Sequence, residues 1–240
     1  IQAGLEDCAA NNVKSAIIFA SGFSEAGADG QQLQQQLAAL AKQHGIRVVG
    51  PNCVGLVNTS NGLIGTFTPS ILSVKREGKQ GVGYISQSGA FGILTYMAAA
   101  KHGVLFNYFV STGNEMESTF EDFLEYMVHD DETTVISGYL EGAKNPEKLK
   151  QLAEQALIKK KPIILMKTGR SDAGSRAAAS HTGSLAGSDQ MYDAFFKQYG
   201  IIRAEDFDDI VAISKLFQPD RLPTGKNTVI ITSSGGRGIN

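Results

Sequence analysis

The chain has 240 residues, 42% of them hydrophobic, and a formal net charge of −2 at pH 7. That is enough for one large or two medium domains with a real core. A near-neutral balance, with no block of like charge longer than 159–161, excludes the basic surface that draws nucleic acid. No window approaches the roughly 20 apolar residues that span a bilayer, and the opening IQAGLEDCAA lacks the regions of a signal peptide. Two cysteines, Cys8 and Cys53, fit a reduced cytoplasm better than a disulfide scaffold.

In chain order, SAIIFA (15–20) is a short strand that ends in the turn SGFSEAG. DGQQLQQQLAALAKQHG follows, with Asp29 as a cap, Leu33, Leu37, Leu40 and Ala41 at helical spacing and Gly45 as terminator. IRVVG (46–50) is another strand before the loop PNCVGLVN, so residues 1–58 read as the later part of a βαβ sheet and 59–79 as a connector. From residue 80 to 217 the alternation is regular, with apolar runs at 82–85, 104–110, 134–140, 162–167 and 201–203 separated by helical segments. Ser118 and Glu121 have the spacing of a capping box for the second of these helices. The last, EDFDDIVAISKLF, puts Phe207, Ile210, Val211 and Leu216 near one face. Continuous apolar strands alternating with helices specify an α/β, flavodoxin-like, doubly wound parallel sheet covered on both faces. Residues 218–240 are a linker and the first strand of a further domain, and with no Met at position 1 the chain reads as part of something longer.

Ligands of open α/β sheets bind beyond the carboxyl ends of the strands. The loops there are SQSGAFG, STGNEMES, LEGAKNP and the long TGRSDAGSRAAASHTGSLAGSD. In the first, a strand runs into a helix through Ser88 and Gly89, which places free backbone N–H groups, a helix dipole and a hydroxyl together, as an anion cradle needs. An ordinary β-α turn with a serine cap fits the same residues. His181 in the long loop carries an imidazole that can attack phosphorus or move protons near neutral pH, although a lone loop histidine is more often simply solvated. Glu141 ends the neighbouring strand, where it can fix the tautomer of such an imidazole or stand in solvent. The other histidines, 44, 102 and 129, and the cysteines have no metal-ligand spacing. GVGYIS (81–86) places its glycines at the start of a strand, and GRSDAGSR lacks the G-K-[ST] ending, so neither is a nucleotide-binding loop.

GPNCVGLVN (50–58), GVGYISQSGAFG (81–92), STGNE (111–115), YLEG (139–142) and GRSDAGSRAAASHTGSLAGSD (169–189), in this order and spacing, resemble the NDP-forming (ADP-forming) acyl-CoA synthetases, relatives of the succinyl-CoA synthetase α-subunit. The resemblance implies a succinyl-CoA synthetase-like fold. Residues 1–58 would then be the C-terminal part of a Rossmann-like CoA-binding domain, 59–79 a connector, 80–217 a flavodoxin-like domain and 218–240 the entry to another. It implies the reversible conversion of a carboxylate, coenzyme A and ATP or GTP with Mg to acyl-CoA, NDP and phosphate, through acyl phosphate and a phosphohistidine. His181 matches the phosphorylated histidine, Glu141 its acidic partner, Ser88 and Gly89 the phosphate-binding helix start, and Asn52 and Cys53 a loop beside the thiol end of CoA. SGFSE matches a loop of the CoA domain. The nucleotide would be bound mainly by an ATP-grasp domain or subunit outside this chain, in an oligomeric cytoplasmic enzyme. Two rival readings are an acyl-CoA-binding regulatory or scaffolding module, of the kind fused to lysine acetyltransferases, and a generic flavodoxin-like binding domain.

Overall fold

The computed structural model describes residues 1–73, 81–169, 188–218, 225–227, 229, 231 and 232. The chain begins with helix α1 (Gln2–Ala10) and strand β1 (Ser15–Ile17). Helix α2 (Ala28–His44) and strand β2 (Arg47–Val49) follow, and β1 and β2 pair in parallel. The cap of α2 is Gly27, with Asp29 in the first turn beside the positive end of the dipole. At the other end Gly45 takes the left-handed conformation (φ 64°) that closes the helix. Leu37 and Ala41 of α2 pack with Leu5, Ile18, Phe23, Ile46 and Val48 into a small core.

Seven strands form the main sheet, in the order β4-β3-β6-β5-β7-β8-β9: β3 (Gly55–Asn58), β4 (Leu63–Thr66), β5 (Gly81–Ser86), β6 (Phe106–Ser111), β7 (Thr133–Leu140), β8 (Ile163–Lys167) and β9 (Ile202–Ala204). The strands from β5 to β9 are parallel, and their order is that of flavodoxin-like sheets. Every residue of β5 and β6 is buried, as the unbroken apolar runs require. Helices α3 (Gly89–Lys101) and α7 (Phe207–Phe217) cover one face, over Val82, Tyr84, Phe109 and Ile164. Helices α4 (Phe120–His129), α5 (Pro146–Ile158) and α6 (Asp189–Tyr199) cover the other, over Ile85, Ile136 and Leu165.

Three local readings shift. Gly55–Asn58, grouped by pattern with the upstream sheet, pairs antiparallel with β6, and Leu63–Thr66 in the connector pairs with it in turn, so these short strands form one edge of the main sheet. They are too short for apolar alternation to announce them. The capping box of α4 is one residue later than its spacing suggested: Thr119 accepts from the Asp122 amide, and Asp122 accepts from the Thr119 amide at 2.8 Å. Glu121 is wholly buried instead. On α7, Ile210 and Val211 are buried, but Phe207 and Leu216 are exposed. Replacing Thr119 by Ala removes one cap bond and is expected to cost about 1 kcal/mol. Urea denaturation should show a lower midpoint, and an unchanged midpoint would contradict the assignment.

Candidate functional site at the carboxyl edge of the sheet

Strands β5 and β7 are neighbours, yet the helix after β5 crosses to one face and the helix after β7 to the other. Such a divergence opens a crevice at the strand ends, where open α/β sheets take ligands. The loop on the β5 side carries Gln87, Ser88 and Gly89. Ser88 caps α3, accepting from the Phe91 amide at 3.4 Å. The amides of Gly89 and Ala90, first in the helix, have no preceding carbonyl within it to bond. Gly89 is close to Val54: a Cβ there would meet Val54 Cγ1 at 3.0 Å.

On the β7 side, Glu141 follows the last strand residue and is 6% exposed. Gln87 ties the two loops together. Its Oε1 accepts from the amides of Glu141 (2.5 Å) and Gly142 (3.1 Å), while its Nε2 donates to Gly142 O and to Glu115 Oε1, both at 2.9 Å. Glu115, from the loop after β6, also accepts from Thr112 Oγ1 and the Phe120 amide. Burial pushes its carboxyl up to about 7, against the opposing pull of Lys144 and the Gln87 hydrogen bond, and the nearby Glu121 adds to the rise. Lys144 Nζ donates to the carbonyls of Asn114 and Glu115, and burial lowers its affinity for the proton despite Glu115 and Glu121.

Asn52 and Cys53 stand across from the α3 start. Together with Phe19, Ser88, Gly89 and Asn114 they line a cleft of about 410 Å³. The loop bearing them is held by backbone contact. Asn114 N donates to Pro51 O at 2.9 Å, and a Cβ on Gly113 (φ 60°) would sit 2.2 Å from that same oxygen. Asn52 Nδ2 donates to Asn114 Oδ1 at 3.2 Å, and Asn114 Nδ2 in turn donates to Gln34 Oε1 and to the Glu25 carboxylate. Glu25 belongs to SGFSE. Burial alone would raise its carboxyl, but the Asn114 amide and the amides of Gly22 and Phe23 hold it below its ordinary value. Cys53 is different: burial pushes its thiol up to about 11, so near neutral pH it is an uncharged wall of the cleft and no nucleophile.

The structure thus gathers Ser88, Gly89, Asn52 and Cys53 around one cleft, and brings Glu141 to the same edge through Gln87. His181 lies outside the described residues, in the stretch between Lys167, the end of β8, and Asp189, the start of α6.

Residues 79–217 match the family described as succinyl-CoA ligase like flavodoxin domain. The chain belongs to that family. It is 41% identical over 239 residues to the acetate–CoA ligase [ADP-forming] I subunit alpha of Pyrococcus furiosus, across 98% of this chain and 50% of that one. It is 40% identical to the acetate–CoA ligase [ADP-forming] of Methanocaldococcus jannaschii, across 98% of this chain and 32% of that one. Among solved structures, it is similar to an acetyl-coenzyme A synthetase 1 of Ca. Korarchaeum cryptofilum in complex with phosphate and ADP. The TM-score is 0.89 and the identity 35%, over 98% of this chain and 49% of that one. The chain therefore spans half or less of the length of these NDP-forming acyl-CoA synthetase relatives.

Within this member of the family, sequence reasoning missed Gln87, Glu115 and Lys144. Each lies inside a loop that the pattern did mark, but a glutamine between two serines and a glutamate in STGNEMES look like solvated loop residues until the fold buries them. The Glu115 carboxyl binds its proton more tightly folded than unfolded, since about 7 lies above its ordinary 4.5. Its contribution to stability is therefore whole below about pH 4.5 and is lost as pH rises through about 7. Glu115→Gln should remove that loss: relative to the parent, the variant should gain stability between about pH 5 and pH 8, as read by urea denaturation. A difference independent of pH would contradict the raised value.

Proposed function

We propose that this chain is the CoA-binding and phosphoryl-carrying part of an acid–CoA ligase that forms NDP, with His181 as the carrier. The reaction joins a small carboxylic acid to coenzyme A at the expense of ATP or GTP. The imidazole of His181 takes the terminal phosphoryl group and releases NDP. The acid's carboxylate then takes that group to give acyl phosphate, and the CoA thiol displaces phosphate to give acyl-CoA. Every step is reversible. Nucleotide and its Mg ion would be held mainly by an ATP-grasp domain or subunit, in an oligomeric assembly and a cytoplasmic setting.

The observation that carries this reading is the meeting of parts at one crevice. The Ser88–Gly89 helix start and the Asn52–Cys53 loop share one cleft, and Gln87, which also lines it, ties the Glu141 backbone to the same edge, in a chain whose relatives are named ADP-forming CoA ligases. Amides at a helix start stabilise phosphoryl oxygens at no cost in reorganisation. A carboxylate on the second ring nitrogen favours the charged imidazole of a phosphohistidine. Reach is not limiting. Residues 168–180, between the end of β8 and His181, extend up to roughly 40 Å, whereas β8 and β5 lie two strand spacings apart, about 10 Å. The neutral thiol of Cys53 leaves the CoA thiol without a competing nucleophile.

The test is to treat the whole protein with γ-labelled ATP. Base-stable, acid-labile label is expected, and it should vanish in His181→Ala; label that persists would overturn the assignment. Glu141→Gln should lower the phosphoenzyme yield by about 10- to 100-fold in a folded protein, and an equal yield would remove its role. A protein that binds acyl-CoA but takes no label would be a regulatory module instead.

A further inference from the structure

Strand β5 ends at Ser86 and β7 at Leu140, and the last bond of their ladder runs from the Gln87 amide to Tyr139 O at 3.1 Å. Beyond it the two chains part toward opposite faces of the sheet, so the next backbone groups on the β7 side, the amides of Glu141 and Gly142, have no strand to bond. The Gln87 side chain takes the place of that strand. It is 8% exposed and uses its amide fully: one oxygen meets two amide N–H groups, and one NH2 meets a carbonyl and a carboxylate. The orientation is forced. A flipped amide would set NH2 against two N–H donors and C=O against two acceptors. Glu115 fixes the far side, because its Oε1 holds Gln87 Nε2 together with Thr112 and the Phe120 amide.

We propose that Gln87 is a positioning residue for Glu141: clamped by Glu115, it holds the Glu141–Gly142 backbone across the crevice and so sets where the Glu141 carboxylate stands. This rests on the reading of Glu141 as the partner of a phosphorylated His181. Gln87 itself touches no reacting atom through its side chain, whose hydrogen-bonding groups are committed to protein. The role of Glu115 is as an acceptor at Oε1. That one oxygen accepts from Gln87 Nε2, Thr112 Oγ1 and the Phe120 amide.

The experiment uses the whole protein and two readouts: hydrogen–deuterium exchange of the peptide carrying Glu141 and Gly142, and the rate of phosphoenzyme formation from labelled ATP. Gln87→Leu is expected to speed exchange of these two amides by about tenfold or more, leaving interior amides of β5 and β7 unchanged. It should slow labelling by about 10- to 100-fold with the KM for nucleotide unaltered. Gln87→Glu, of the same shape but without N–H donors, serves if the leucine variant does not fold, and should move both readouts the same way at about pH 8. Glu115→Leu, which removes the acceptor that holds Gln87 Nε2, should move both readouts in the same direction as Gln87→Leu. Unchanged exchange in Gln87→Leu and Gln87→Glu overturns the clamp. Faster exchange with undiminished labelling, or a loss confined to KM, overturns the positioning role. If the parent itself takes no label while exchange responds as described, the phosphohistidine reading fails and the clamp stands.

Discussion

The parting of β5 and β7 is the constraint from which the site follows. Two parallel strands can pair along their whole length and still send their helices to opposite faces, but the chains must then separate where the ladder stops. That separation leaves backbone amides that a buried position cannot leave unbonded. Gln87 resolves the difficulty with one side chain, Glu115 holds Gln87, and Thr112 and the start of α4 hold Glu115 in turn. The amides of Gly89 and Ala90, at the other lip of the crevice, stand at the α3 start with no carbonyl of that helix before them. A fold-level necessity and a candidate phosphoryl site thus share the same few residues.

A second dependence concerns the upstream unit. Its attachment to the main sheet relies on close backbone approach, Asn114 N to Pro51 O and Met116 N to Gly50 O at 2.9 Å, with Gly113 providing the room. Ser118 N donates to Val48 O at 3.1 Å, and the Glu117 carboxylate accepts from the Val48 amide and pairs with Arg47. The loop after β6 therefore faces two ways. Asn114, Met116, Glu117 and Ser118 bond to the upstream unit, while the Glu115 side chain turns to the crevice and holds Gln87. Any ligand in the cleft lined by Asn52, Cys53 and Ser88 would touch both units at their junction.

Much of this was legible in the sequence. Buried parallel strands are continuous apolar runs, and β5 to β9 could be read from them, as could the helices between and the loops where ligands bind. The sites of Ser88 and Glu141 at one edge followed from that order. Legibility ended where tertiary pairing decides. Gly55–Asn58 and Leu63–Thr66 are strands only because β6 offers an edge, and Gln87 and Glu115 matter because burial turns polar loop residues into a network, to which Lys144 adds its bonds to the Asn114 and Glu115 carbonyls. Local spacing placed the α4 cap on Ser118, but Ser118 is drawn to Glu117, at 2.8 Å, and Thr119 takes the cap. The surroundings of His181 rest on the family resemblance and on chain reach, since that residue lies outside those described.

The central claim is that the crevice between β5 and β7 is where the phosphoryl group is held. A crystal structure of the whole protein, phosphorylated or soaked with phosphate, tests it most directly. The account predicts phosphoryl oxygens about 3 Å from the amides of Gly89 and Ala90, with the His181 ring against the Glu141 carboxylate. A phosphoryl group bound well away from the α3 start, with His181 turned from Glu141, would contradict it.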